Sequence, residues 1–363
     1  MATGTARAFL EGVGRAQYED DLASRAFEGP GRAQRGPLRP AADGASLVTA
    51  DGVRQEVRIS NRATYWPVAP IDLVVGAPIL ARLLIGGGPA GTILQGVALG
   101  LYAGSALRDW RDRQAIHRID FRREFGADVD HLVPMPRQAY VSQVRRLAPR
   151  LNDEFTRKRL SRRETAARVD RHLTRYIASI TGQSVRTSAE VRGFSLARLA
   201  WPSALGVCDI LSGDVAIFKD TGLFEPHVIA HEFSHRKGYW KELHAQVLAY
   251  LALSTSGDPI LRQAARCERV YRSLRVLADQ DISAFRELVE GSGLRPELRR
   301  AMLAHRVAGG TGTSGFEIVM RRLYDKRMHL TGQNGISDYD AGFTRFLHTF
   351  EHSPAARQTP PEP

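Results

Sequence analysis

His231 and His235 bracket Glu232 in an otherwise largely apolar stretch, His227-Val-Ile-Ala-His231-Glu232-Phe-Ser-His235-Arg-Lys-Gly238. On a helix, residues four apart share a face, with Cβ atoms about 5–6 Å apart. Two imidazoles so placed can bind one metal ion. Glu232 projects beside them, where a carboxylate can hold and deprotonate a water at the metal. Val228, Ile229, Ala230 and Phe233 supply the core-facing surface, and Arg236 directly after the second histidine is an unusual neighbour. Gly238 is placed to stop the helix. A catalytic zinc takes three protein ligands and a water, so a third ligand is required. The next apolar-periodic run is Leu243, Val247, Leu248 and Leu251. Glu242, in the first turn of that second helix, and His244 are the two candidates. His227 reads as an entry-turn residue, and Tyr239 and Trp240 as cover for the turn.

Around this centre the chain divides by composition. Residues 1–65 are expected to be disordered, the stretch Gly29 to Ala45 being dense in Gly, Pro, Arg and Ala without periodicity, with room for a short helix near Ala6 to Phe27. From Val68 to Leu107 the only charges are Asp72 and Arg82, and the 25 residues Leu83 to Leu107 carry none. Such a run is long enough to cross a bilayer core of about 30 Å. Gly86-Gly87-Gly88-Pro89 breaks it, which predicts a hairpin of helices near 69–85 and 90–107. Gly96, Gly100 and Gly104 share one face of the second helix, a spacing that lets membrane helices approach closely. A Gly-rich hairpin buried in a protein core is the competing reading. Arg54, Arg58 and Arg62 before the run, and Arg108, Arg111, Arg113, Arg118, Arg122 and Arg123 after it, put both flanks on the cytoplasmic side of a membrane.

From Met135 onward helices are expected at 138–157, 162–181 (opened by Ser161 and Glu164 in capping-box spacing), 226–237, 242–254, 259–278, 282–290, 296–307, 315–328 and 338–350. Val185 to Val191, Phe194 to Leu199 and Val215 to Phe218 read as a small sheet, with Val215 to Phe218 the edge to which an extended peptide would pair. The tail 353–363 is expected to be disordered.

The balance of 51 Lys and Arg against 39 Asp and Glu leaves a net charge of +12 in 363 residues. The excess is scattered arginine, without a compact basic block interleaved with aromatics, so no nucleic-acid partner is expected. Cys208 and Cys267 stand in apolar or helical surroundings and read as buried, reduced thiols. The N-terminal residues have no apolar h-region of a secretory signal.

Segment 231–251 resembles the bacterial family known as domain of unknown function 3810, whose pattern is His-Glu-x-x-His, then Arg-Gly or similar, then Glu-x-x-Ala-Asn before an apolar helix. Here that reads His231, Glu232, His235, Lys237-Gly238, Glu242 and Ala245, with Gln246 where the family has Asn. Downstream, Tyr324, Gly332-Gln333, Gly335-Ile336-Ser337 and Tyr339 resemble the family's second conserved segment, so the likeness spans roughly 130–350. It implies a gluzincin-like metallopeptidase, membrane-anchored at its N-terminus, in which His231, His235 and Glu242 hold Zn2+, leaving His244 outside.

The expected fold is therefore mainly α with a small β-sheet: a zincin-like metallopeptidase domain over 109–352, preceded by a hydrophobic, transmembrane-type hairpin over 66–108. The expected activity is zinc-dependent hydrolysis of peptide bonds by metal-activated water, with Glu232 as general base and then acid. The expected partners are a peptide or protein substrate and, through residues 69–107, membrane lipid. The expected place is the bacterial cytoplasmic membrane, with the catalytic domain facing the cytoplasm. Tyr339 is a candidate oxyanion stabiliser. Two other functions fit the motif: a membrane-tethered binding or scaffold protein with a structural or vestigial metal site, which would not need Glu232, and a different zinc-dependent hydrolase.

Overall fold

The computed structural model describes residues 39–40, 47–49, 52–53, 56–59, 88–193, 204–209, 213–279, 281–305, 322, 324–326 and 328–356. The architecture is mainly helical with small sheets. The helices are α1 (Pro89–Arg113), α2 (Phe121–Phe125), α3 (Arg137–Asp153), α4 (Arg162–Thr181), α5 (Glu225–Arg236), α6 (Glu242–Ser254), α7 (Pro259–Leu277), α8 (Ile282–Gly291), α9 (Pro296–Ala304) and α10 (Ala341–Glu351). The strands are β1 (Arg39–Pro40), β2 (Leu47–Thr49), β3 (Gly52–Val53), β4 (Glu56–Arg58), β5 (Ser184–Arg186), β6 (Arg192–Gly193), β7 (Gly206–Cys208) and β8 (Val215–Ile217).

Local chemistry sets the boundaries that matter. Ser161 and Glu164 close a reciprocal capping box at the start of α4, and Gly182, at φ 75°, ends it. Pro226 stands in the first turn of α5, where a missing N–H costs nothing. Gly238, at φ 95°, takes the left-handed conformation that reverses the chain after α5. Only five residues then separate α5 from α6, so the two helices pack side by side. Helix α5 is buried from Pro226 to Arg236. Its apolar residues join one core with α4, α6, α10 and the sheet residues Val215 and Ile217. A second core lies between α3, α7, α8 and α9.

Arg236 and Lys237 are completely buried, a cost offset by the acceptors that each of them reaches. The Lys237 ammonium donates to Asp170 Oδ1 (2.7 Å), Thr174 Oγ1 (2.9 Å), the Val185 carbonyl (3.0 Å) and Thr187 Oγ1 (3.1 Å). Arg236 donates to the carbonyls of Gly213 and Ser188 (2.6 Å each) and Glu190 (3.0 Å), with its guanidinium 4.9 Å from the centre of the Phe233 ring. The unusual cation after His235 is thus the tie between the end of the motif helix and the loops around the sheet.

Several expectations change. Val215 to Phe218 does not form an edge: β8 is the central strand, parallel to β6 and antiparallel to β7. Its residues are buried throughout, which suits a strand covered on both sides. Residues Ser184–Arg186 leave that sheet and pair in parallel with Glu56–Arg58. Within the 1–65 stretch expected to be disordered, Val57 and Ile59 alternate inward with Val185 and Ile116, the period of a strand. His227 lies inside α5, one turn before His231. The helix expected at 338–350 begins at Ala341, after a 3-10 turn over Gly335–Tyr339. Ser353 is anchored by its hydroxyl to the Phe125 carbonyl at 3.1 Å.

Of the hairpin, the first helix (69–85) lies outside the described residues, as do Phe194 to Leu199, the short helix near Ala6 to Phe27 and most of 315–328. The second helix is α1, which runs on to Arg113. No described helix is long and apolar enough to cross a membrane. The reason is in the α1 sequence: Thr92, Gln95 and repeated glycines dilute the apolar residues, and its last turns carry Arg108, Asp109, Arg111, Asp112 and Arg113.

Candidate metal centre

The turn at Gly238 brings the start of α6 back to the middle of α5. His231 Nε2 lies 3.1 Å from Glu242 Oε2, His235 Nε2 lies 3.3 Å from the same oxygen, and the two Nε2 atoms are 3.2 Å apart. All three residues are buried. Two imidazole nitrogens and a carboxylate oxygen therefore converge on one point. Ligands bound tetrahedrally at about 2.0–2.1 Å stand roughly 3.3 Å apart, so the observed spacing fits a metal ion without rearrangement.

Hydrogen bonds around the cluster fix its orientation. His235 Nδ1 donates to the Tyr239 carbonyl at 2.8 Å, which leaves Nε2 as the metal-facing atom. Trp240 stacks parallel to the His235 ring, 6.1 Å between centres. The Tyr339 hydroxyl donates to Glu242 Oε2 at 2.7 Å, and the Tyr324 hydroxyl donates to Oε1. The two hydroxyls are 3.2 Å apart. The Glu242 backbone N–H donates to Gln333 Oε1 at 2.7 Å, so a distant glutamine caps the helix that presents the ligand. The residues that orient Glu242 thus come from the Tyr324 to Tyr339 segment. Tyr324 and Gln333 have only their place in the resembled family's pattern as a signal, and Tyr339, the expected oxyanion stabiliser, has its hydroxyl on Glu242 Oε2.

His244 is turned elsewhere. Its Nε2 lies 2.7 Å from Asp128 Oδ1, and its ring stacks on Phe121 with centres 3.7 Å apart. Asp128 is partly buried, yet its bonds to His244 and to the Val129 N–H hold its carboxyl down at about 2. The structure therefore gathers His231, His235 and Glu242, and leaves His244 outside.

Glu232 is buried at the sheet side of α5. Burial pushes its carboxyl above the ordinary range, against the pull of His231 and His235. Gly206 on β7 abuts it: a Cβ there would stand 3.2 Å from Glu232 Oε1, 2.9 Å from Ile217 Cδ1 and 3.0 Å from the Ala216 carbonyl. Nothing in the sequence pattern marks Gly206, whose need for glycine arises from these three tertiary contacts.

Residues 221–346 match the family model described as Protein of unknown function (DUF3810). No curated protein and no solved structure matches the chain. The match covers the motif helix, the ligand helix and the tyrosine segment, so it supports the DUF3810 resemblance over the residues that build the centre. It assigns no activity.

In the metal-free protein burial works against a charged His235, but the Glu242 carboxylate outweighs it and raises the imidazole to about 9. The same pair holds Glu242 well below the carboxylate range despite its burial. A cation binding to His235 Nε2 must displace that proton at any pH below about 9. Apparent Zn2+ affinity should therefore rise about tenfold per pH unit from about pH 6.5 to 8.5 and level off above about 9. Chelator competition at stepped pH checks this; an affinity independent of pH across that window contradicts it.

Proposed function

We propose that this chain is a zinc-dependent metallopeptidase of the HExxH type. The observation that carries the reading is the convergence of His231, His235 and Glu242 within 3.3 Å, with the buried carboxylate of Glu232 on the same helix and outside the ligand set. Two imidazoles and a carboxylate are the donor set of many catalytic zinc sites. A divalent cation held there supplies Lewis acidity to a carbonyl oxygen and lowers the pKa of water towards about 7.

The rest falls to the chain. Glu232 accepts the proton of the attacking water and returns it to the leaving amine. Burial moves its carboxyl upward, the direction that suits a group that must both take up a proton and give it back. Tyr324 and Tyr339 hold Glu242 so that one oxygen faces the histidines. An extended substrate pairs with β7, which among the described residues is the edge strand nearest Glu232.

Glu232→Gln keeps the shape but cannot carry the proton. It should retain zinc and fold, and peptide hydrolysis should fall by at least about 10²-fold. A Glu232→Gln variant that cleaves a substrate of the wild type at full rate contradicts this mechanism. Zinc binding without any cleavage, and a biological role indifferent to Glu232→Gln, would favour the scaffold function.

We propose in addition that α1 seats the protein on the cytoplasmic membrane of a bacterium. Ile93, Val97, Leu107 and Trp110 are all more than half exposed along this helix. Exposed Arg108 and Arg111 stand in its last turns, and exposed Arg118, Arg122 and Arg123 follow it in the chain. Apolar side chains followed by Trp and arginines match the layering of an anionic lipid interface. The full chain should float with phosphatidylglycerol-containing vesicles. Equal failure to float with these and with neutral phosphatidylcholine vesicles contradicts lipid contact.

A further inference from the structure

Behind the ligand Glu242 lies a closed circuit of contacts made by residues that touch no ligand nitrogen. The Tyr339 hydroxyl donates to Glu242 Oε2 at 2.7 Å. Its neighbour Asp340 accepts through Oδ1 from Arg272 Nη1 at 2.7 Å. Arg272 Nε donates to Glu268 Oε1 at 2.6 Å. That same oxygen accepts from Gln246 Nε2 at 2.8 Å. Gln246 stands four residues after Glu242 on α6, one turn along the same face. The circuit thus returns to its start through the backbone of α6.

Three elements are joined this way: α6 with the ligand, α7 with Glu268 and Arg272, and the segment leading into α10 with Tyr339 and Asp340. The planar guanidinium uses two edges at once, which fixes the separation of two carboxylates as a flexible ammonium would not. Glu268 and Gln246 are 1% and 2% exposed, so neither can relax into water if the circuit is cut. Arg275 adds a second cation 3.6 Å from Asp340 Oδ2. Gln246 occupies the position where the family pattern has Asn, and it still closes the loop.

We propose that Arg272 and Asp340 are positioning residues for the ligand Glu242, acting through the Tyr339 hydroxyl. The inference rests on the metal-site reading of His231, His235 and Glu242. The circuit touches the Glu242 carboxylate only through the Tyr339 hydroxyl, its other return being the backbone of α6, so the effect of Asp340 on that carboxylate should be lost when the hydroxyl is absent.

The test uses the full chain with Tyr339→Phe, Asp340→Asn and both together. Zn2+ affinity is measured by chelator competition, and ligand geometry by the visible spectrum of the Co2+ form. Tyr339→Phe should weaken binding about tenfold, the lower end for a partner that orients a ligand. Asp340→Asn should weaken it by up to the same factor and shift the Co2+ bands. The double variant should bind no more weakly than Tyr339→Phe alone. An Asp340→Asn affinity within about twofold of the wild type, or losses that simply multiply in the double variant, would overturn the inference. So would a lowered unfolding midpoint with an unchanged Co2+ spectrum, the sign of a purely structural ion pair. Should Asp340→Asn not fold, Arg272→Lys keeps a cation beside Glu268 without spanning both carboxylates, and the same comparison applies. A wild-type chain that takes up neither metal sinks the metal-site reading and this inference with it.

Discussion

A buried carboxylate without compensation would take up a proton or pull the structure apart, and the Glu242 carboxylate is buried. Its compensation comes from His231 and His235 on α5 and from Tyr324 and Tyr339 of the C-terminal segment, while Gln333 accepts from its backbone N–H. The packing of α6 on α5 and the docking of the tyrosine segment both converge on this one group. The histidines on α5 form a pair, and Glu242 makes the pair a three-donor site.

The same economy of buried charge explains the far end of α5. Stripping an ammonium or guanidinium of water costs several kcal/mol, recovered only when hydrogen bonds satisfy the buried donors. Lys237 reaches four acceptors from α4, β5 and the loop after it, and Arg236 reaches three backbone carbonyls. These contacts hold the motif helix against the sheet that carries Gly206, and so fix Glu232 relative to β7. The site is positioned by polar ties at its edges as much as by the apolar core beneath it.

How much of this was legible in the sequence follows from how local the determinants are. Helices α4 to α7 were visible because their apolar period, the Ser161 cap and the Gly238 stop act within a few residues. The choice between Glu242 and His244 was not local. It depends on Phe121 and Asp128, more than a hundred residues upstream, which claim the His244 ring. The place of Val215 to Phe218 within its sheet is not legible locally, because a three-residue strand carries no sign of who its neighbours are, and neither β6 nor β7 is longer. Glu56–Arg58 follows the Gly- and Pro-rich stretch 29–45 in a segment without a long apolar run, and only the alternation of Val57 and Ile59 marks it as a strand. The place of Arg236 directly after His235 is explained by carbonyl partners 23 to 48 residues away, which no local pattern reveals.

The central claim is that one metal ion is held by His231, His235 and Glu242, with His244 excluded. X-ray absorption at the zinc edge of the zinc-loaded full chain tests it most directly. One zinc per chain is expected, with two imidazole nitrogens at about 2.0–2.1 Å and oxygen donors completing the shell. The same spectrum is expected for His244→Ala. A three-imidazole shell that loses one ring in His244→Ala, or a chain that stays metal-free after zinc loading and desalting, would contradict it.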